Sequence, residues 1–542
     1  MKTVYGHIKG LKKSQIKSLK NLYYRRVRPE AIISYELAKD LCRLSFETGR
    51  QIGLIINRAG KIIYVLSGDR KSILIPDLKQ YRLSPGRLRG VRCVHTHLDE
   101  TPLSKEDLTD LALLRLDMMV AITMNSNGKP QKLFPAHILP HGPSKAPYIL
   151  MDPFDPFHPD VGCLGIIKAL EDELSRYKGA FTAAPGTERA FLVSIFTGSR
   201  KKAENSLSEL SELAKTGGIN VVRRILQQRK KTDSRFLIGS GKLGDIAIDA
   251  LHKDATLIIF DQELNPSQSR SITDRIELKV IDRTQLILDI FAQHAKSREG
   301  KIQVELAQLK YTLPRLIVKN TAMSRLTGGI GGRGPGETKL EMNRRRVRNR
   351  ISKLEKASVK IQKSRYRQRS KRNKKSLPTL SIIGYTNAGK STLLNVLTKS
   401  HVLVKNKLFA TLDPSSRRLR LPKDAEVIIT DTVGFIRDLP KELMSAFKAT
   451  LEELESADML LHVIDLSNPM HREQIQSVEK IVSDLGLSNI PSIRVLNKID
   501  LVDGETLTDL CKALNGIAIC AKDRSTLTAL LNQIEKTVKK LK

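Results

Sequence analysis

LSIIGYTNAGKSTLLNVL, residues 380–397, passes from an aliphatic run through a glycine-bounded loop into a helix-forming stretch. Gly384, Gly389, Lys390 and Ser391 keep the spacing of a phosphate loop, placed directly after a strand and at the opening of a helix. The backbone amides of Tyr385, Thr386, Asn387 and Ala388, with the helix N-terminus, can face phosphate oxygens. Lys390 would neutralise the β and γ groups, and the Ser391 hydroxyl would ligate magnesium. Strand, loop and helix in this order predict an α/β domain.

Three further segments follow in the order such a loop requires. FATLDP (409–414) comes after the first helix, where Thr411 is placed to complete the magnesium shell and feel the γ-phosphate, flanked by Phe409, Ala410, Leu412 and Asp413. DTVGFIRD (431–438) follows the strand EVIIT; Asp431 would hold magnesium through water, and Gly434, after Thr432 and Val433, would offer its amide to the γ-phosphate. NKID (Asn497, Lys498, Ile499, Asp500) ends another strand, and the Asp500 carboxylate has two acceptors for the N1 and N2 donors of guanine, a pair adenine lacks. The expected ligand is therefore GTP or GDP, with magnesium on Ser391 and Thr411 and with Lys390, Thr411, Asp431 and Gly434 as the catalytic set. After GIAI, the stretch Cys520-Ala521-Lys522 reads as a base loop, whose contact is chiefly a backbone amide to the guanine oxygen.

Phe435 occupies the position where many such sites carry a glutamine that aims water. A phenyl ring has neither donor nor acceptor. Phosphoryl transfer depends mostly on positioning and charge neutralisation, so the site is expected to hydrolyse slowly and to wait for a partner that orders its loops.

The chain has 542 residues, 93 lysines and arginines against 57 acids, and a net charge of +36. That length implies several domains, and that excess of positive charge favours a polyanionic partner. Five scattered cysteines without metal-type spacing point to a reducing, cytoplasmic compartment. The basic start has no apolar stretch behind it, and no apolar run approaches the roughly 18 residues of a membrane helix, so neither a secretory signal nor a membrane partner is expected.

The patterning predicts an α/β multidomain chain. Residues 1–150 form an α+β extension, with a hairpin at Arg58-Ala59-Gly60 and a helical stretch LSKEDLTDLALLRLDMMVAI. Proline-rich residues 151–187 read as a linker, and 188–295 as an α/β subdomain of alternating strands and helices. Residues 296–375 read as a basic helical hairpin, and 376–542 as the nucleotide domain with a mixed, mostly parallel sheet. From Arg344 to Lys375 the charged residues are basic except Glu355, making Arg344, Arg345, Arg346, Arg348 and Arg350 candidate RNA contacts.

From about residue 185 onward the chain resembles the HflX family of ribosome-associated GTPases. GTERAFLVSIF, FLIGSGKLGDI, LIIFDQELNPSQSRSI, GGIGGRGPGETKLEMNRRRVRNRI, FATLDPSSR and DTVGFIRDLP all carry the resemblance, and the family also places a hydrophobic residue after the DTVG glycine. The resemblance implies a monomeric GTPase that binds the large ribosomal subunit and its rRNA and splits stalled or idle ribosomes. It also implies that the basic helical subdomain reaches toward the peptidyl transferase centre; GGIGGRGPGET, with no strand before it, reads as a flexible tip that inserts into RNA. The same residues allow a second reading, a GTP-gated ribosome-assembly factor. Many members carry a further small domain after the GTPase domain, and shorter members lack the first 180 or so residues.

Within the extension, CVHTHLDETPLSKED places His95, His97, Ser104 and Asp107 in an arrangement similar to the H-x-H…S-x-x-D pattern of JAB/MPN-type metallopeptidases. It departs from that pattern by one residue in spacing and by lacking the proline after the second histidine. The resemblance implies a zinc site on His95, His97 and Asp107, Glu47 as the base, and a metal-dependent hydrolase as a third reading.

Overall fold

The computed structural model describes residues 3–76, 78, 81, 87–139, 148–157, 162–180, 188–253, 255–276, 278–316, 339–373, 377–398, 409, 415–422, 425–437, 454 and 456–541. They divide into two compact units, one of Met1–Arg189, Ile238–Thr256 and Ile272–Lys279, the other of Ala190–Leu237, Leu257–Ser271 and Val280–Lys542. None of the described helices is long and apolar enough to cross a membrane.

The first unit is built on β1 (Val4–Gly6), α1 (Lys13–Asn21), α2 (Tyr35–Thr48), β2 (Ile52–Asn57), β3 (Ile62–Ser67), β4 (Val91–His97), α3 (Lys105–Leu113), β5 (Met118–Met124), β6 (Pro130–Ile138), β7 (Tyr148–Leu150) and α4 (Cys163–Ala180). Its strands form one sheet in the order β1-β3-β2-β4-β5-β6-β7. Strand alternation sends successive side chains to opposite faces. Val94, Val120 and Ile122 join Leu37, Leu41 and Leu44 of α2 and Cys163 and Ile167 of α4 in one core. Cys93, Met119 and Ala121 join Leu108 and Leu111 of α3 in the other.

Two expectations are corrected here. The stretch 103–122 is not one helix, because α3 stops at Leu113, Arg115 turns through φ 48°, and Met118–Met124 is a central strand. A strand buried on both faces is apolar throughout, so periodicity alone cannot tell it from a buried helix. Residues 151–187 are not only a linker. Phe154 bridges to Leu133 at the sheet edge, and α4 buries Cys163, Ile167 and Leu170 in the α2-side core.

Next in the chain come β8 (Arg189–Phe196), α5 (Arg200–Thr216), β9 (Asn220–Gln228), α6 (Ser240–His252), β10 (Leu257–Phe260), α7 (Pro266–Arg275), β11 (Lys279–Asp282) and α8 (Arg283–His294). These strands form a sheet of order β11-β10-β8-β9, with β10 parallel to β8. Then α9 (Arg298–Arg315) and α10 (Lys339–Asn373) lie together through the Arg350–Glu305 and Lys310–Glu355 ion pairs. On α10, between residues 341 and 361, the positions withdrawn from solvent are Arg344, Val347, Ile351, Leu354, Ala357, Ser358 and Ile361. Apart from Ala357 they fall at alternating steps of three and four, a narrow coiled-coil-type seam, and Arg345, Arg346, Arg348, Lys353, Lys356 and Lys360 are exposed away from it.

The nucleotide half contains β12 (Thr379–Gly384), α11 (Lys390–Thr398), β13 (Ser415–Arg420), β14 (Glu426–Asp431), β15 (Met459–Asp465), α12 (His471–Asp484), β16 (Ser492–Asn497), α13 (Gly504–Leu514), β17 (Ile517–Ala518) and α14 (Thr528–Leu541). Its sheet order is β13-β14-β12-β15-β16-β17, parallel except for β13 against β14. β13, SSRRLR, has no place among the sequence-derived strands because a charged edge strand lacks a clear apolar alternation.

Candidate nucleotide site

Between β12 and α11 the chain makes the turn that the glycine spacing predicts. Asn387 takes a left-handed conformation at φ 63°, and Gly389 follows at φ 96°. A Cβ at Gly389 would lie 2.3 Å from Asn497 Nδ2, so only glycine lets the loop pass this close to the NKID strand end. Lys390 is buried, and its ammonium donates to the carbonyls of Tyr385 at 2.7 Å and Gly384 at 3.1 Å. Burial pushes its pKa down to about 8 against the opposing pull of Asp431.

Ser391 Oγ donates to Asp431 Oδ2 at 2.6 Å. A hydroxyl and a carboxylate converging at the start of α11 are the hard oxygen donors that magnesium takes, so the residues present fit the ion. The DTVGF segment is tied to the loop from the other side. Thr386 N–H donates to Phe435 O at 2.8 Å, Phe435 N–H to Gly384 O at 3.1 Å, and Thr432 Oγ1 to Ile382 O at 2.6 Å. A Cβ at Gly434 would sit 2.8 Å from Thr386 Cγ2 and 3.1 Å from Lys390 Nζ, so this backbone reaches the lysine only because it is glycine. Val433 is buried beside it.

At the base end, Asn497 joins the two loops. Its Nδ2 donates to Ala388 O at 2.8 Å, and its Oδ1 accepts from Ala521 N–H at 2.9 Å. Lys498, at φ 64°, donates to Asp465 at 2.6 Å. Asp500 is exposed on the short turn Ile499–Leu501, its carboxylate on the surface. Cys520 N–H is held by Thr526 Oγ1 at 3.0 Å, which pins the base loop despite the cysteine, and Lys522 is exposed.

Phe435 is 2% exposed and shares one apolar core with Phe291, Phe409, Val433 and Ile436. Phe409 packs its ring on Phe291 at a centroid distance of 4.5 Å. Ala410, Thr411, Leu412 and Asp413 lie outside the described residues, as does the glycine-rich stretch 328–338.

A ring of polar contacts runs alongside that core, and no sequence motif announced it. The Tyr385 hydroxyl donates to Glu209 and accepts from Arg437 N–H at 2.9 Å. Glu209 pairs with Arg283 at 2.9 Å, and Arg283 with Asp261 at 3.2 Å. Asp261 accepts from Ser206 Oγ at 2.6 Å, and Ser206 accepts from Arg437 Nη2. The circuit closes on itself. Tyr385 belongs to the phosphate loop and Arg437 to DTVGFIR, while Ser206, Glu209, Asp261 and Arg283 come from the α/β subdomain. Burial first, and then Glu209, push the Tyr385 hydroxyl pKa up, so it stays protonated and donating.

Among the candidate RNA contacts, Arg345, Arg346 and Arg348 are exposed and Arg344 is half-buried. Arg350 grips Glu305 with both Nε and Nη2, at 2.7 and 2.8 Å, so its charge is partly spent inside the protein.

The second candidate cluster, His95, His97 and Asp107, is brought together and buried. Glu47 does not join it. Thr96 faces α2 and bonds Ser45 Oγ at 2.8 Å, so alternation along β4 turns His95 and His97 to the opposite, α3-covered face. Glu47 is exposed on α2, so its expected role as base is withdrawn.

Residues 204–292 match the family described as GTP-binding GTPase N-terminal, 294–372 the GTP-binding GTPase Middle Region, and 379–498 the 50S ribosome-binding GTPase. The GTPase HflX of Caldanaerobacter subterraneus subsp. tengcongensis is 50% identical over 351 residues, which cover 64% of this chain and 80% of that protein. The GTPase HflX of Escherichia coli K12 is 44% identical over 316 residues, 58% of this chain and 74% of that protein. Among solved structures, a GTP-binding protein from Sulfolobus solfataricus in complex with GDP is 27% identical, covering 66% of this chain and 100% of that chain at a TM-score of 0.37.

Proposed function

We propose, for a chain that belongs to the HflX family of GTPases, that GTP governs its grip on the large ribosomal subunit and that this grip dissociates stalled or idle ribosomes. The observation that carries the reading is α10. One narrow seam anchors it to α9, and Arg345, Arg346 and Arg348 stand in solvent on the rest of its surface. Basic residues placed on rRNA phosphates release counterions, which makes binding strong and salt-dependent. The description of the family matching residues 379–498, a 50S ribosome-binding GTPase, supports the same partner.

In this reading Lys390 meets the β- and γ-phosphates, the Gly434 amide senses the γ-phosphate, and Asp500 selects guanine. Magnesium would be held by Ser391 and Thr411, with Asp431 behind them, and supplies neutralisation of phosphate charge. Phe435 lies in the core and orients no water, so intrinsic hydrolysis is slow and the ribosome supplies the missing positioning.

The test is co-sedimentation with separated ribosomal subunits, with and without nucleotide, comparing the natural chain with a triple Arg345→Glu, Arg346→Glu, Arg348→Glu variant. The expected result is nucleotide-dependent pelleting with the large subunit, weakened in the variant, with a salt slope flatter by about 0.7–0.9 for each phosphate no longer neutralised. Equal pelleting of both proteins sinks the RNA-binding role of α10. Intact ribosomes incubated with a non-hydrolysable GTP analogue address splitting. If they stay joined while the large subunit is still bound, the assembly-factor reading takes its place.

A further inference from the structure

We propose that His95, His97 and Asp107 hold a buried zinc ion that fastens β4 to α3, a structural site rather than a hydrolytic one. The three side chains come from two elements the chain brings together. His95 and His97 are alternate residues of β4, and Asp107 lies in the first turn of α3. Small residues flank the pair on the same face, since Gly53 of β2 and Ala121 of β5 both stand opposite His95. A Cβ at Gly53 would come within 3.3 Å of the His95 Cβ, so the glycine makes room for the imidazole.

The donor spacing suits the ion. His95 Nε2 lies 3.0 Å from His97 Nε2 and 3.3 Å from Asp107 Oδ1, and His97 Nε2 lies 3.5 Å from Asp107 Oδ2. Zinc bonds of about 2.0–2.2 Å at tetrahedral angles set neighbouring donors about 3.3–3.6 Å apart, which both histidine–aspartate separations match, while the two imidazole nitrogens stand closer and would move apart slightly around the ion. The surroundings also orient the donors. His97 Nδ1 faces the Thr101 carbonyl at 3.0 Å; a proton there fixes the tautomer and leaves Nε2 bare toward the cluster. Ser104 donates to Asp107 Oδ2 from both N–H and Oγ, at 2.8 and 2.6 Å, which fixes the carboxylate.

Gln51, two residues before Gly53 in the chain, also buries an Oε1 with no hydrogen-bond partner among the described residues.

The assignment to structure rather than catalysis follows from access and from the missing base. The three ligands are 0%, 4% and 7% exposed, so a substrate reaches them only if the unit opens. Glu47 is on the other side of the sheet. Catalytic zinc keeps an open position, whereas structural zinc is closed in.

Metal analysis of the purified full chain after dialysis against trace zinc tests this directly. The expected result is about one zinc per chain in the natural protein and almost none in His95→Gln, while His97→Cys, which keeps a zinc-type ligand, retains it. Replacing zinc with cobalt should give a tetrahedral visible spectrum, gaining a thiolate charge-transfer band only in His97→Cys. Chelation should lower the melting temperature of the natural chain and leave that of His95→Gln unmoved, with GTP hydrolysis the same in all three. Zinc well below one per chain, or the same zinc content in natural protein and His95→Gln, overturns the site. Zinc-dependent cleavage of a peptide or ester panel overturns its structural character.

Discussion

Removing one oxygen from the phosphate loop probes the polar ring most sharply. Tyr385→Phe keeps the aromatic bulk in the core but deletes the hydroxyl that donates to Glu209 and accepts from Arg437 N–H. A hydrogen bond to a carboxylate contributes about 1.5–3 kcal/mol, and a buried N–H left unpaired costs about 1–3 kcal/mol. Glu209 keeps its ion pair with Arg283 at 2.9 Å, so the loss stops at the tyrosine. The Arg437 N–H is only part-buried, so its cost falls at the low end of that range, and the variant should be destabilised by roughly 2.5–4 kcal/mol in the contact between the phosphate loop and the α/β subdomain. If half of that appears as lost preorganisation of the nucleotide site, GDP binds about tenfold more weakly. A double-mutant cycle with Glu209→Gln, read by fluorescent-nucleotide affinity and by amide exchange in residues 432–437, should give a coupling of about 1–2 kcal/mol. A coupling below about 0.3 kcal/mol, within simple additivity, refutes the claim that the ring links subdomain and nucleotide site.

Other expectations follow from single groups. Lys390, with its pKa lowered to about 8, is neutral above that pH until a phosphate restores its charge, so nucleotide affinity should fall about tenfold per pH unit above pH 8 toward the ordinary lysine value. Calorimetry in buffers of different ionisation enthalpy should then show proton uptake on GDP binding near pH 9, and its absence would contradict the lowered pKa. Asp500→Asn keeps one acceptor and loses the charge, so GTP and GDP should bind about a hundredfold more weakly, and unchanged affinity would remove Asp500 from guanine recognition. Phe435→Gln should not speed hydrolysis; it removes a ring that is 2% exposed and buries an amide there, at a cost of about 3–5 kcal/mol in denaturation. A faster and equally stable Phe435→Gln protein would show that the position faces water after all.

How much of this was legible in the sequence depends on the range over which each signal acts. The phosphate loop, DTVGF and NKID are short, and each needs only its neighbours in the chain, so spacing alone places Gly389, Lys390, Ser391 and Asn497 in the geometry found. The basic face of α10 was legible for the same reason. Its seam with α9 was hidden because arginine and lysine crowd the intervening positions and one arginine, Arg344, falls in the seam itself. β5 was misread as helix because burial on both faces erases the alternation that marks a strand, and β13 was missed because its charged edge has none. Glu47 failed on topology, since the identity of its residue type could not reveal which side of β4 it would occupy.

The ring of Tyr385, Glu209, Arg283, Asp261, Ser206 and Arg437 lay beyond any such reading because its members are up to 231 residues apart in the chain. Its existence changes what Phe435 means. Here residues 433–437 are held by an apolar core on one side and by a closed polar circuit on the other. If Gly434 senses the γ-phosphate as proposed, a segment anchored in this way would pass that signal to the α/β subdomain through Ser206 and Glu209. Hydrolysis would then be expected to depend on whatever fixes the subdomain from outside.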